Sequence, residues 1–209
     1  MDNNRSEKLI PVQQSGTKTD DVASASFENI IAAEKRFKEA KERLFNVNNW
    51  NNIAGKISAT FKLTDESGNE IDSKPKRGDH FKIDLPGPGT IAGEGYDWVR
   101  IESVEERNDF NNVDEMVAIK VRPAENPLNK KGDVAHFFTD EATSSFIVSR
   151  TGTTVTAEVH GRNEKANTDA GAILDKTRNA VIASGAKAGL SSIQWSNLVN
   201  GLVGKKINS

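Results

Sequence analysis

The 209-residue chain has no cysteine. That absence excludes a disulfide framework, a thiolate zinc site, an iron–sulfur cluster and a cysteine nucleophile. It fits a reducing compartment. Met1-Asp2-Asn3-Asn4-Arg5-Ser6 lacks the apolar core of a signal peptide, so the expectation is a soluble, cytoplasmic protein. No apolar run approaches the roughly 20 residues that cross a bilayer, and no membrane partner is expected. A charge excess of either sign is also missing. The 28 basic and 30 acidic residues leave a formal charge of -2, with no footprint for nucleic acid. The basic clusters (Lys74, Lys76 and Arg77; Lys130 and Lys131; Lys205 and Lys206) are short and fall at turns or a terminus, where charges simply face water.

Histidine is scarce as well. His80, His136 and His160 are the three present, and no two stand at ligand-like spacing, so no metal is expected. The chain holds no P-loop signature, no nucleophile elbow and no H-E-x-x-H helix. Gly87-Pro88-Gly89 opens like a dinucleotide fingerprint, but a strand follows it where a helix N-terminus would be needed. No cofactor and no catalytic residue are therefore assigned. An enzyme using His136 or His160 as general base beside a carboxylate is a third-ranked alternative.

What is abundant is shaped loop and alternating strand. Residues 85–98 place two prolines and four glycines between apolar runs and end in Tyr96-Asp97-Trp98. Glycine opens backbone angles closed to other residues and proline closes them, so this is a formed loop rather than a linker. Residues 1–23 are polar apart from Leu9-Ile10-Pro11-Val12 and read as a mobile tail. A helix capped by Ser24 or Ser26 follows, with Phe27, Ile30, Ile31, Phe37, Ala40, Leu44 and Phe45 as its apolar stripe and Glu34–Lys38 and Lys38–Glu42 on its polar side. Period-two runs then recur at Ile57–Leu63, Phe81–Leu85, Trp98–Glu105, Met116–Arg122, Phe146–Val148 and Val155–Val159, with His136-Phe137-Phe138 as a short extra piece. Their connections are too short for parallel crossovers, so the sheet is antiparallel. Helix returns after Thr168, is interrupted at Gly185 and Gly189, and restarts at Ser191 with Trp195, Leu198, Val199, Leu202 and Val203 on one stripe. The prediction is an α+β protein: a tail over 1–23, then one domain over 24–205. That domain holds an antiparallel sheet of six or seven strands, an N-terminal helix and a C-terminal helical pair.

Gly78–Gly89, Tyr96–Glu102, His136-Phe137-Phe138 with Ala142-Thr143-Ser144, and Gly161–Lys165 resemble a bacterial family with no assigned activity, so the resemblance implies no catalytic residue. The element order, together with Gly87-Pro88-Gly89-Thr90-Ile91, also resembles the helix-grip fold of START-like and pollen-allergen-like proteins. That resemblance implies a curved sheet wrapped on a C-terminal helix around an apolar cavity. The reading departs from it in two places: no strand precedes the first helix, and glycines divide the last one. The expected function is a non-enzymatic binding protein holding a small apolar molecule between the sheet and the C-terminal helices. The proposed contacts are Tyr96, Trp98, His136, Phe137, Arg162, Gly87 and Gly89, with Glu164 placed to orient Arg162. By strand alternation Phe137 and Phe138 point to opposite faces. The alternative is a protein–protein interaction module that docks through the Trp195 helix.

Overall fold

A computed structural model describes residues 9–55, 59–85, 90–108, 114–129, 132–168 and 190–205, with the backbone alone for 190–194. Seven strands form one antiparallel sheet: β1 (Thr17–Ser26), β2 (Thr60–Thr64), β3 (His80–Asp84), β4 (Asp97–Asn108), β5 (Asp114–Pro123), β6 (Thr143–Thr151) and β7 (Thr154–Glu164). Their order across the sheet is β1-β7-β6-β5-β4-β3-β2. Helix α1 (Ile30–Phe45), a 3₁₀ turn (Val47–Asn49) and the single-turn α2 (Trp50–Ile53) lie between β1 and β2, and α3 (Leu190–Leu202) closes the chain.

All three helices pack on one face. Phe61, Leu63, Phe81, Ile83, Val99, Ile101, Ile119, Phe146, Val148, Val155, Ala157 and Val159 point into it, as period-two alternation requires. At its centre stands Trp50, fully buried. Its ring lies 5.4 Å from Phe61, 5.5 Å from Phe81 and 4.9 Å from Phe146, and its Nε1–H donates to the carbonyls of Arg43 (3.2 Å) and Leu44 (3.1 Å). One residue thereby fills the space between three strands and ties off the end of α1, whose last carbonyls otherwise lack partners. The predicted α3 stripe is the one observed: Leu198, Val199, Leu202 and Val203 are buried, and Trp195 packs on Phe61 and Phe146 at 5.9 and 5.3 Å. Arg43 donates to the carbonyls of Gly201 and Leu202, neutralising the negative end of α3.

Residues 9–23 correct the expected tail. Residues 17–26 form β1, paired along its length with β7. The hydropathy pattern hides this strand because its helix-facing residues are Thr19, Asp21, Ala23 and Ala25, too short and polar to read as a core stripe. This also supplies the opening strand that the sequence reading lacked. Upstream, Leu9 is buried on the outer face of the sheet against Ala118 and Ile147, and Ser145 Oγ donates to its carbonyl. Asn163 holds the return: its N–H donates to Gln13 Oε1 (3.0 Å) and its Oδ1 accepts from the N–H of Gln14 (2.7 Å).

Helix α1 starts later than expected, at Ile30, capped by Asn29 Oδ1 on the Ala32 N–H at 2.9 Å. Its first turn overhangs the sheet, so Ile30 and Ile31 are exposed, and Ala33 joins Phe37, Ala40, Leu44 and Phe45 in the buried stripe. Glu34 turns to Arg150 and Glu42 to Lys74 instead of to Lys38. The expected strand at 136–138 is a loop carrying one bridge, Phe138 to Ala166. The helix expected between Thr168 and Gly185, and the capping side chains Ser191 and Gln194, lie outside what is described.

Trp50→Ala is expected to lower unfolding free energy by about 3–5 kcal/mol, and Leu9→Ala by about 2 kcal/mol because its cluster is small; chemical denaturation measures both.

Candidate ligand site

The loop between β3 and β4 is built around Thr90. Its Oγ1 donates to the Tyr96 carbonyl (2.6 Å) and accepts from the Gly93 N–H (3.0 Å). A Cβ on Gly93 would stand 1.8 Å from the Tyr96 carbonyl oxygen, so the turn admits only glycine there. The loop delivers Tyr96 to the Lys82 ammonium, 4.1 Å from the ring centroid, and Trp98 to the Gly93 carbonyl through its Nε1–H at 3.3 Å. Strand parity decides which face they reach. Phe81, Ile83, Val99 and Ile101 belong to the helix face, so His80, Lys82, Trp98 and Arg100 belong to the outer one. Trp98 is 1% exposed yet lies outside the core beneath the helices. It therefore does not line a space under the C-terminal helix, contrary to expectation.

The segment carrying His136 and Phe137 is tied to the start of β4. The Trp98 N–H donates to the Ala135 carbonyl (2.7 Å), and the Phe137 N–H to Asp97 Oδ1 (3.0 Å). His136 Nδ1 accepts from the Phe138 N–H at 2.9 Å, so this nitrogen carries no proton, and its ring stacks on Phe137 at 4.3 Å. Because the segment is a loop, alternation does not hold: the rings of Phe137 and Phe138 lie 4.4 Å apart in one cluster instead of on opposite faces. Tyr96 and Trp98 thus share the outer face with Lys82, while His136 and Phe137 stack on each other beside Phe138. Gly87 and Gly89 lie outside the described residues.

Arg162 stands apart from them, on β7. It donates to Asp20 Oδ1 (2.6 Å) and the Thr19 carbonyl (3.0 Å), so its partner is Asp20 rather than the expected Glu164. Beside it His160 bridges two carboxylates, Nδ1 to Asp20 (2.6 Å) and Nε2 to Glu158 (2.9 Å). Burial alone would lower the His160 pKa, but these two carboxylates outweigh it and raise it above the ordinary 6.5. Burial likewise opposes the Asp20 charge, and His160 and Arg162 together hold its carboxyl below the usual 3.8. With both nitrogens engaged, His160 has none free to act as a base.

Sequence reasoning missed the polar groups on the helix face of the same two strands. Glu164, 9% exposed, turns inward and accepts from Thr19 Oγ1 at 2.9 Å. Gly161 makes room for it, since a Cβ there would come within 2.0 Å of Glu164 Oε1. Burial raises the Glu164 pKa, and the hydroxyls of Thr19 and Thr17 do not offset it. Asp21 faces the helices opposite Val159, in the row that continues to Phe146 and so to Trp195. Its Oδ2 is buried with no hydrogen-bond partner, and burial together with the Asp20 charge raises its pKa. The period-two run Thr17, Thr19, Asp21, Ala23 was the available signal.

Seven antiparallel strands in this order, two helices inserted after the first and a last helix on the same face make this a helix-grip protein. The assignment rests on that topology. No protein-family model and no curated protein matches the chain. Solved structures similar to it include Ara h 8.0201 (8% identity, 87% of this chain and 99% of that one, TM-score 0.33). Norcoclaurine synthase from Thalictrum flavum aligns at 8% identity over 93% and 99%, with a TM-score of 0.36. Protein Ms6760 from Mycobacterium smegmatis aligns at 14% over 90% and 91%, with a TM-score of 0.37. No described helix is long and apolar enough to cross a membrane. A surface hollow of about 150 Å³, bordered by Glu42, Phe45, Asn48 and Lys74, is smaller than the clefts of roughly 300 Å³ or more that hold drug-sized ligands.

The His160 cluster makes stability depend on pH. The histidine's contribution is fully present below its ordinary pKa of 6.5 and is lost as pH rises through the raised folded value. Asp20's contribution is present above 3.8 and is lost as pH falls through its lowered folded value. The melting-temperature gap between the native protein and His160→Gln is therefore expected to be widest between about pH 4 and 6.5 and to narrow on either side, as thermal melts across pH would record.

Proposed function

We propose that the protein is a non-enzymatic binding protein whose small ligand lies between the sheet and the C-terminal helical segment, on the β1–β7 side. The observation that carries this reading is the Asp21 carboxyl, whose Oδ2 is buried on the helix face with nothing to bond. A buried polar atom left without a partner costs about 1–3 kcal/mol, which a bound donor would recover. Around it stand the ingredients of a ligand site: apolar surface from Val159, Phe146 and the half-buried Trp195, with Thr19 and Glu164 as further polar groups. Trp50 and the phenylalanines beside it already fill this face from β2 and β3 across to β6. The ligand is thus an apolar molecule carrying one hydroxyl or amine, directed to Asp21.

Denaturing mass spectrometry of the purified protein is expected to release a co-purified molecule of this kind. Asp21→Leu should lower its retention by about tenfold or more. Asp21→Asn, which keeps an acceptor oxygen, should retain it, and so should Tyr96→Phe on the opposite face. A protein that comes off clean and takes up no amphiphile from a lipid extract would overturn the reading.

A further inference from the structure

The sheet has two edges, and the chain treats them differently. At the β2 edge, Leu63 is covered on its outer side: its N–H donates to Asn48 Oδ1 (2.8 Å) and its carbonyl accepts from the Ile71 N–H (2.9 Å). Among the described residues, the β1 edge has no such cover. The Phe27 N–H donates to the Thr153 carbonyl, which marks these two opposed residues as a hydrogen-bonded pair. Hydrogen-bonded pairs recur every second residue along an antiparallel ladder, so Ala25, Ala23 and Asp21 spend their backbone groups on Val155, Ala157 and Val159 of β7. Asp20, Val22, Ser24 and Ser26 therefore turn theirs away from the sheet. Among the described residues no backbone group accepts or donates there. Such an uncovered strand edge is a template for a further strand.

We propose that β1 pairs antiparallel with β1 of a second copy of this chain, about a two-fold axis at Val22, to give one continuous sheet. The strand's own side chains select this register. With the axis at Val22, Val22 meets Val22, Asp20 meets Ser24 and Lys18 meets Ser26, so no like charges face each other. Moving the axis to Asp20 would set Asp20 against Asp20, and moving it to Asp21 would do the same with Asp21. Val22 is 57% exposed, an apolar side chain in an otherwise polar row, and the self-pair covers it. The arrangement is isologous, so it closes as a dimer and does not propagate into a fibre. It does not rest on the ligand reading, since Asp21 spends its backbone on β7 and turns its side chain to the helix face.

The absence of cysteine supplies the test. In Val22→Cys the introduced thiol is the sole one, and facing Cα atoms of a hydrogen-bonded pair lie about 5.5 Å apart, within reach of a disulfide. Mild oxidation is expected to convert it to a covalent dimer, whereas Ile31→Cys, at a more exposed position on α1, stays monomeric. Ser24→Pro removes an outward-facing N–H without touching the β7 ladder, as an edge position tolerates. It is expected to weaken the dimer by about tenfold or more in light scattering, with an unchanged far-ultraviolet circular dichroism spectrum. Should Ser24→Pro fail to fold, the cross-linking pair decides alone. A native protein that stays monomeric at hundreds of micromolar overturns the proposal, and so does a dimer that survives Ser24→Pro without Val22→Cys cross-linking.

Discussion

The burial of Trp50 is the interaction on which the rest of this architecture depends. An indole is large enough to touch Phe61, Phe81 and Phe146 on three different strands at once. Its polar nitrogen, which would otherwise be stranded in an apolar core, finds the free carbonyls of Arg43 and Leu44. The end of α1, the turn into α2 and the middle of the sheet are thereby held at one point. Helix α3 then docks on what is left, with Trp195 resting on two of the same phenylalanines and Arg43 serving its C-terminus. Protein side chains fill the centre of this face, and its buried carboxyls gather at the β1–β7 margin.

The polar groups of that margin divide by strand parity. On the outer face Asp20, Glu158, His160 and Arg162 compensate one another, and their charges are stabilised. On the helix face, Asp21 and Glu164 have no ion pair among the described residues, and burial pushes their carboxyls toward the neutral form. Adjacent residues, Asp20 and Asp21, thus have opposite electrostatic fates because a strand sends alternate side chains to opposite faces. Strand β1 also brings both groups to an edge where, among the described residues, its outward backbone groups have no partner.

Much of the fold was legible. Alternation in Phe81–Leu85, Trp98–Glu105, Met116–Arg122 and Val155–Val159, and the helical stripe from Trp195 to Val203, come from residues large and apolar enough to declare their period. Strand β1 was not legible, because its inward residues are Thr19, Asp21, Ala23 and Ala25, and a strand packed through small or polar residues has the hydropathy of a tail. The candidate site suffered for the same reason. The aromatic residues are conspicuous in sequence, but Tyr96 and Trp98 lie on the outer face, and His136 and Phe137 pack with Phe138 in a loop. The unpartnered carboxyl of Asp21 sat within the segment read as tail.

The sequence by itself determined the classes that composition can exclude, the antiparallel character of the sheet, the shaped loop before Trp98 and the apolar stripe of α3. Each follows from local chemistry: the absence of thiols, the length of connections, glycine and proline angles, and the spacing of large apolar side chains. Only the tertiary structure decided that Leu9 and β1 belong to the sheet, that Trp98 faces away from the helices, and that Asp20 is paired while Asp21 is not. Those are matters of which face a side chain reaches and what lies across from it. For Leu9, β1 and Asp20 the partners lie more than a hundred residues away, and no local pattern encodes that distance.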